Sequence, residues 1–332
     1  MNRKDLLLDC MRGMILFEDR FDSVEPEDAK WLCERLAWHK IIHMAAAMSD
    51  PQKRKCPDLE RVFRDCLVAA TFREAEYLKQ IRSLFEILTE ASIGFIPYKG
   101  PFWCQELYPD YSWRHIGDVD LFLGKEAARK VSSLLQKLGY KPVIVKGSED
   151  EDFARRGELT LYPGPTVEHK LPVQLHWALL PSHRFVDIGF IRGEDLLRGA
   201  TLMDWKGLSY RLPTLEVRFF YHVLHATCQH QFDRFVHVMT MAHLIRKCPQ
   251  MDCKNLHRMA VERGALVPLY YGLKFIHAFL PLTGSALSLM KDLIPSRKVR
   301  LAASLLTPYS ILFATQTRGK FRRKIFRLAM SW

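Results

Sequence analysis

A change of hydrophobic period near residue 93 rules out both an all-helical and an all-strand architecture for this chain. Before it, apolar side chains recur at the spacing of amphipathic helices, through "EDAKWLCERLAWHKIIHMAAAMS" and again through "DLERVFRDCLVAATFREAEYLKQIRSLFEILTEAS". A charged, Pro-bearing connector, "DPQKRKCPD", divides the two. After it the runs shorten. "IGFIPYKG" reads as a strand ending in Lys-Gly, and "PFWCQELY" carries Pro at a helix-starting position. "RHIGDVDLFL" reads as a strand and "KEAARKVSSLLQKLG" as a helix with a glycine stop. "YKPVIV", "GELTLY" and "PVQLHWAL" read as further strands. From about residue 190 helical spacing returns, in "TLEVRFFYHVLHATCQH", "FDRFVHVMTMAHLIRKC", "CKNLHRMAVERG" and residues 270–290. The expected fold class is α+β. A small mixed-sheet core, 93–189, is flanked by an N-terminal helical region, 1–92, and a C-terminal helical region, 190–332, with a basic tail.

At 332 residues, 48% hydrophobic and 26% charged, the chain can bury a large core and is not a disordered one. Its eight cysteines show no CxxC spacing, which fits reduced thiols rather than a disulfide framework. The first twenty residues lack an uninterrupted apolar segment and a small-residue cleavage site, so no signal peptide is expected. Lys274, His277, Pro281 and Gly284 interrupt the best membrane-span candidate, 270–290, and buried helices explain it more simply. A cytoplasmic protein is the expectation.

The net charge of +12 calls for a polyanionic partner, but it is unevenly placed. From Lys291 onward there are ten Lys and Arg against Asp292 alone, a surplus of +9. No aromatic–basic RNA motif or helix-turn-helix supports nucleic acid. In "KFRRKIFRLAMSW", Phe321, Ile325, Leu328 and Trp332 form an apolar stripe against the basic residues. A terminal helix docked by that stripe is expected, with weak contact to an anionic membrane surface as the alternative.

Asp118 and Asp120 would stand roughly 7 Å apart on one face of their strand, apolar neighbours on the other. Like charges that close call for a cation, and phosphoryl-transfer sites hold Mg²⁺ with such oxygen ligands. Lys99-Gly100 precedes a helix start, where backbone N–H groups can receive phosphate, and Arg114 can clamp phosphate oxygens. His222, His225, Cys228 and His230 invite a zinc reading, but with no CxxC or HExxH partner a helical packing cluster is the expectation.

"YKGPFWCQELYPDYSWRHIGDVDLFL", the "LQKLGY" after it, "QLHW" at 174–177 and "HVLHATCQH" at 222–230 resemble, in that order, an uncharacterised bacterial nucleotidyltransferase family. That family is related to the polymerase β-type nucleotidyltransferase fold, and its members occur in gene clusters for capsular polysaccharides and lasso-type peptides. The resemblance spans roughly residues 85–250. It implies transfer of a nucleoside monophosphate from an NTP such as ATP to a sugar, peptide or protein acceptor in a biosynthetic pathway, with release of pyrophosphate. Asp118 and Asp120 would bind Mg²⁺, or Mn²⁺ in its place; Lys99, Gly100 and Arg114 would take the triphosphate, and His176 would line the site. The chain departs from relatives at Gln174, where they carry an acid before Leu-His-Trp, and at Thr240, where they often carry another. An amide is a poor base and a weaker Mg²⁺ ligand, so Glu168 is the candidate substitute. The alternatives are a nucleotide-binding or scaffold protein with weakened catalysis, and a peripheral membrane protein acting through its tail.

Overall fold

The computed structural model describes residues 2–100, 102, 107–108, 113–145, 147–168, 171–180, 196–197, 199–205, 207–249, 251–313 and 319–330. Most of the "PFWCQELY" stretch lies outside these residues. The chain divides into two compact units: Met1–Thr71 with Leu107–His115 and His222–Trp332, and Phe72–Glu106 with Ile116–Tyr221.

The N-terminal helices are α1 (Arg3–Leu16), α2 (Pro26–Trp38), α3 (Ile42–Met48) and α4 (Pro57–Glu90). Asn2 caps α1, its side-chain oxygen accepting the Lys4 and Asp5 N–H groups. α2 and α4 each begin on a proline, where the missing N–H costs nothing. Residues 27–49, expected as one helix, form two. Lys40 turns into the left-handed region, φ 58, and breaks the helix. The break lets buried His39 serve distant backbone: its Nε2–H donates to the Leu312 carbonyl and its Nδ1 accepts from the Phe235 N–H.

The second unit holds a mixed five-stranded sheet of β1 (Phe95–Pro97), β2 (Val119–Leu123), β3 (Tyr140–Pro142), β4 (Glu158–Pro163) and β5 (Val173–His176), in the order β1-β2-β5-β4-β3. β2 and β5 run parallel; the other neighbours are antiparallel. Val119, Leu121, Leu159, Leu161, Val173 and Leu175 alternate onto one face and are buried. α5 (Lys125–Lys137) buries Ala128, Val131 and Leu135 and packs against β3 and β5. The strand expected over 140–145 stops at Pro142, and Val143, Ile144 and Val145 are exposed beyond its pairing with β4. α6 (Glu149–Arg155) follows, before β4. A hairpin, β6 (Thr201–Trp205) and β7 (Leu208–Leu212), occupies ground expected to be helical. Its signal was present in "LSYRL", whose Leu208, Tyr210 and Leu212 are buried and whose Ser209 and Arg211 are exposed. Tyr210 packs edge-on against Phe102, with ring centroids 4.8 Å apart.

Helices then resume with α7 (Leu215–Leu224), which runs into a π-helical turn over His225–Gln229. They continue with α8 (Phe235–Lys247), α9 (Cys253–Glu262), α10 (Leu266–His277), α11 (Gly284–Asp292), α12 (Arg297–Ala303), α13 (Pro308–Leu312) and α14 (Gly319–Met330). Among the described residues no helix is long and apolar enough to cross a membrane, and residues 270–290 are shared between α10 and α11. The terminal helix docks, but not by the expected stripe. Phe326, Ala329 and Met330 are buried while Leu328 is 52% exposed; the Phe321 side chain and Trp332 lie outside the described residues. Phe326 wins because its ring meets Tyr271 and Phe275 of α10, at 5.2 and 6.0 Å between centroids.

Candidate functional site

Strand alternation and register build one polar face on the five-stranded sheet. Asp120 lies opposite Gln174 on β5, and Gln174 opposite Thr160 on β4. Two residues along, Phe122 lies opposite His176, and His176 opposite Glu158. Directly paired residues share a face, and so do residues two apart on one strand. Asp118, just ahead of β2, Asp120, Gln174, His176, Glu158 and Thr160 therefore share one side. The apolar set occupies the other.

Asp120 is the centre of this face. Its Oδ1 accepts the His176 Nε2–H at 2.7 Å and lies 3.4 Å from the Lys99 ammonium. Burial alone would raise this carboxyl, but Lys99 and the His176 hydrogen bond outweigh it and hold Asp120 below its ordinary value. Among the described residues both contacts fall on Oδ1 and none on Oδ2, which leaves that oxygen for a cation. Glu158 closes the other end. Its Oε2 is 3.5 Å from His176 Nδ1, and its Oε1 is 3.5 Å from Arg156. Burial pushes this carboxyl up as well, and the charges of His176, Lys99 and Arg156 more than offset it. The His176 imidazole thus sits between two ionised carboxylates, its ring 5.0 Å from that of Tyr98.

Lys99 reaches Asp120 because the backbone turns sharply behind β1. Lys99 and Gly100 both adopt positive φ, 54 and 50. The Tyr98 N–H donates to the Asp120 carbonyl at 2.9 Å, which fixes the turn against β2. The Lys99 ammonium stands 4.7 Å from the Tyr98 ring centroid, a cation–π contact that steers it further. A lysine held in the left-handed region marks a strained, positioned side chain rather than a solvated one.

The sheet thus brings together Lys99, Asp120, Gln174 and His176, with Gly100 next to Lys99 in the chain and Asp118 just ahead of β2. Arg114 belongs to the other unit, where its Nη1 donates to Thr240 Oγ1 at 3.0 Å. So Gln174 and Thr240 each sit beside an expected site residue, Gln174 beside Asp120 and Thr240 beside Arg114. Glu168 does not serve as the substitute acid: its carboxylate is 73% exposed and pairs with Lys79 on α4. The acid that does face the site is Glu158, which the sequence reading passed over. Its signal was the alternation of Glu158 and Thr160 in "GELTLY". Asp118, Asp120 and Gln174 offer only oxygen ligands, which fits Mg²⁺ or Mn²⁺ rather than a thiolate- or imidazole-seeking ion, while Glu158 is engaged with His176 and Arg156.

Residues 25–281 match the family model described as "Uncharacterised nucleotidyltransferase". No curated protein matches the chain.

Proposed function

The chain belongs to the uncharacterised nucleotidyltransferase family, a class of transferase enzymes, and from that premise we propose that its sheet face catalyses Mg²⁺-dependent nucleotide transfer. The reaction moves a nucleoside monophosphate from an NTP to a sugar, peptide or protein hydroxyl and releases pyrophosphate. The observation that carries this reading is Asp120 beside Gln174 on one sheet face, with Lys99 drawn onto Asp120 by a strained turn and Asp118 two residues ahead of it. Asp118 and Asp120 would hold the metal, which when bound neutralises phosphate charge and orients the reacting oxygens. Lys99, and the turn at Gly100, hold a polyphosphate near that carboxylate. His176, held between Asp120 and Glu158, orients the Asp120 carboxylate that would bind the metal.

The test is incubation of the purified chain with labelled NTPs, Mg²⁺ and panels of sugar, peptide and protein acceptors, read by pyrophosphate release and by mass increment on the acceptor. Asp118→Asn should abolish metal-dependent transfer and leave the circular dichroism spectrum unchanged. Undiminished transfer by that variant would remove these carboxylates from the chemistry.

A second reading has one observation in its favour: the amide of Gln174, not a carboxylate, stands directly opposite Asp120. It makes the protein a nucleotide binder with weakened turnover. Calorimetry separates the two, since binding of ATP with Mg²⁺ without pyrophosphate release, and release gained in Gln174→Glu, supports the weaker enzyme.

A further inference from the structure

The sequence reading considered zinc for His222, His225, Cys228 and His230 and preferred a packing cluster. The structure separates that set. Cys228 is fully buried with its thiol against Thr227, and burial pushes its pKa up to about 12, so it supplies no thiolate near neutral pH. The histidines do gather, around two residues outside that set. The His230 and His237 rings stack 4.5 Å apart, with the His225 ring 4.4 Å from His230. Between His230 and His237 lies the Asp233 carboxylate.

The distances suit the ligands of one ion as well as an Asp–His ion pair. Asp233 Oδ1 is 3.3 Å from His230 Nδ1 and 3.6 Å from His237 Nε2, and one donor atom from each of the three residues lies within 4.8 Å of the others. Four ligands at bond lengths near 2.1 Å around a tetrahedral ion stand about 3.4 Å from one another. Among the described residues, Asp233 Oδ1 is buried with no hydrogen bond of acceptable geometry, and so is His237 Nδ1. Buried polar atoms left in that state are costly, and a bound ion removes the cost at the carboxylate. The His230 and Asp233 side chains are about one-third exposed, at 34% and 30%, which gives an ion a way in.

The local backbone gives such an ion a purpose. The π-helical turn, a form frequent at functional sites, delivers His230. Gln231 and Phe232 then both take positive φ, 48 and 53, before α8 begins. This strained turn seats the Phe232 ring on Phe275, centroids 4.1 Å apart, in the helical core. We propose that His230, Asp233 and His237 form a binding site for a divalent transition ion, Zn²⁺ being the best match to two imidazoles and one carboxylate, and that the ion clamps this turn. The site lies in a different unit from the sheet face and does not depend on the nucleotidyltransferase reading.

The test uses the full chain stripped with chelator, then titrated with Zn²⁺ by calorimetry and with Co²⁺ by visible absorption, in excess Mg²⁺. The expected results are one Zn²⁺ bound per chain, a Co²⁺ spectrum of low coordination number that Mg²⁺ does not erase, and a higher melting temperature with Zn²⁺. His230→Ala, which removes a partly exposed ring and spares the core, should weaken Zn²⁺ at least about tenfold and reduce the melting shift. Asp233→Asn should do the same, while Asp118→Asn should leave Zn²⁺ binding unchanged. Should Asp233→Asn fail to fold, X-ray absorption of the Zn²⁺-loaded wild type decides, with two imidazoles in the inner shell expected. No stoichiometric Zn²⁺, its displacement by Mg²⁺, or full affinity in His230→Ala overturns the proposal.

Discussion

Glu158 and Gln174 show how far side-chain identity and side-chain position can diverge. Gln174 holds the position beside Asp120 with an amide, and Glu158 supplies an acid one strand further along, opposite His176. If Glu158 steadies His176, and through it the Asp120 carboxylate, then Glu158→Gln should lower transfer by roughly tenfold or more, the usual worth of a partner that orients a metal ligand. ATP affinity should barely change, because Lys99 is untouched; the ratio of kcat to KM effects in a pyrophosphate-release assay checks this. Gln174→Glu should act on the opposite side, tightening Mg²⁺ by adding a hard oxygen ligand next to Asp120. A variant with unchanged Mg²⁺ dependence would mean that position 174 does not face the ion. Lys99→Met has a stability consequence as well. It would strip one of two partners from a carboxylate that is 6% exposed, and breaking buried pairs in this way costs about 3–5 kcal/mol. Urea unfolding should show that loss, while Lys99→Arg should recover most of it.

At the scale of elements, packing chose between patterns that periodicity left equal. Along α14, Phe326, Ala329 and Met330 and the alternative set Ile325 and Leu328 both satisfy helical spacing. What separates them is the ring pocket formed by Tyr271, Phe275 and Phe232, to which only Phe326 is addressed. Phe326→Ala should therefore destabilise the chain by roughly 3–5 kcal/mol, and Leu328→Ala by well under 1 kcal/mol, measured as urea midpoints. The same logic explains what could be read in advance. The two-residue alternation of "GDVDLFL" and the amphipathic spacing of "KEAARKVSSLLQKLG" are local, and both elements form where that spacing puts them. Lys99, Asp120, Gln174 and His176 each lie in a short motif, and the structure sets them side by side. The break at Lys40 was not legible, because it is fixed by the contacts of the His39 ring with Phe235 and Leu312, far off in sequence. Glu158 was missed for the same reason, since its partner His176 lies on another strand, whereas His230, Asp233 and His237 fall within eight residues and their i,i+3 and i,i+4 spacing was open to reading.

For the whole molecule, two buried histidines of the first unit and two buried carboxylates of the second predict a staged response to acid. In the first unit His39 and His243 are held neutral. His243 donates from Nε2 to the Met14 carbonyl and accepts the Tyr108 hydroxyl at Nδ1, as His39 serves Leu312 and Phe235. Burial lowers both to about 4, from an ordinary 6.5. A second proton on His39 would point an N–H at the Phe235 N–H, so charging either ring requires opening the structure around it. Since the folded pKa lies below the unfolded one, these residues contribute full stability above about pH 6.5 and lose it as pH falls toward 4. By linkage the loss is on the order of 3 kcal/mol for each residue. In the second unit Asp120 and Glu158 are depressed below their ordinary 3.8 and 4.5, so their contribution holds down to about pH 4.5 and disappears only below it. Between pH 6.5 and 4.5 the helical unit should weaken while the sheet unit keeps its carboxylate contribution. Hydrogen-exchange labelling in urea at pH 7, 5.5 and 4.5, with chelator present and peptides assigned to each unit, reads this directly. Peptides from α1, α8 and α10 should reach their midpoint at falling urea concentrations as pH drops, ahead of those from β2, β4 and β5. Equal shifts in both sets would show that His39 and His243 do not govern the acid limb, and His39→Gln, which cannot charge, should flatten the dependence of the first set.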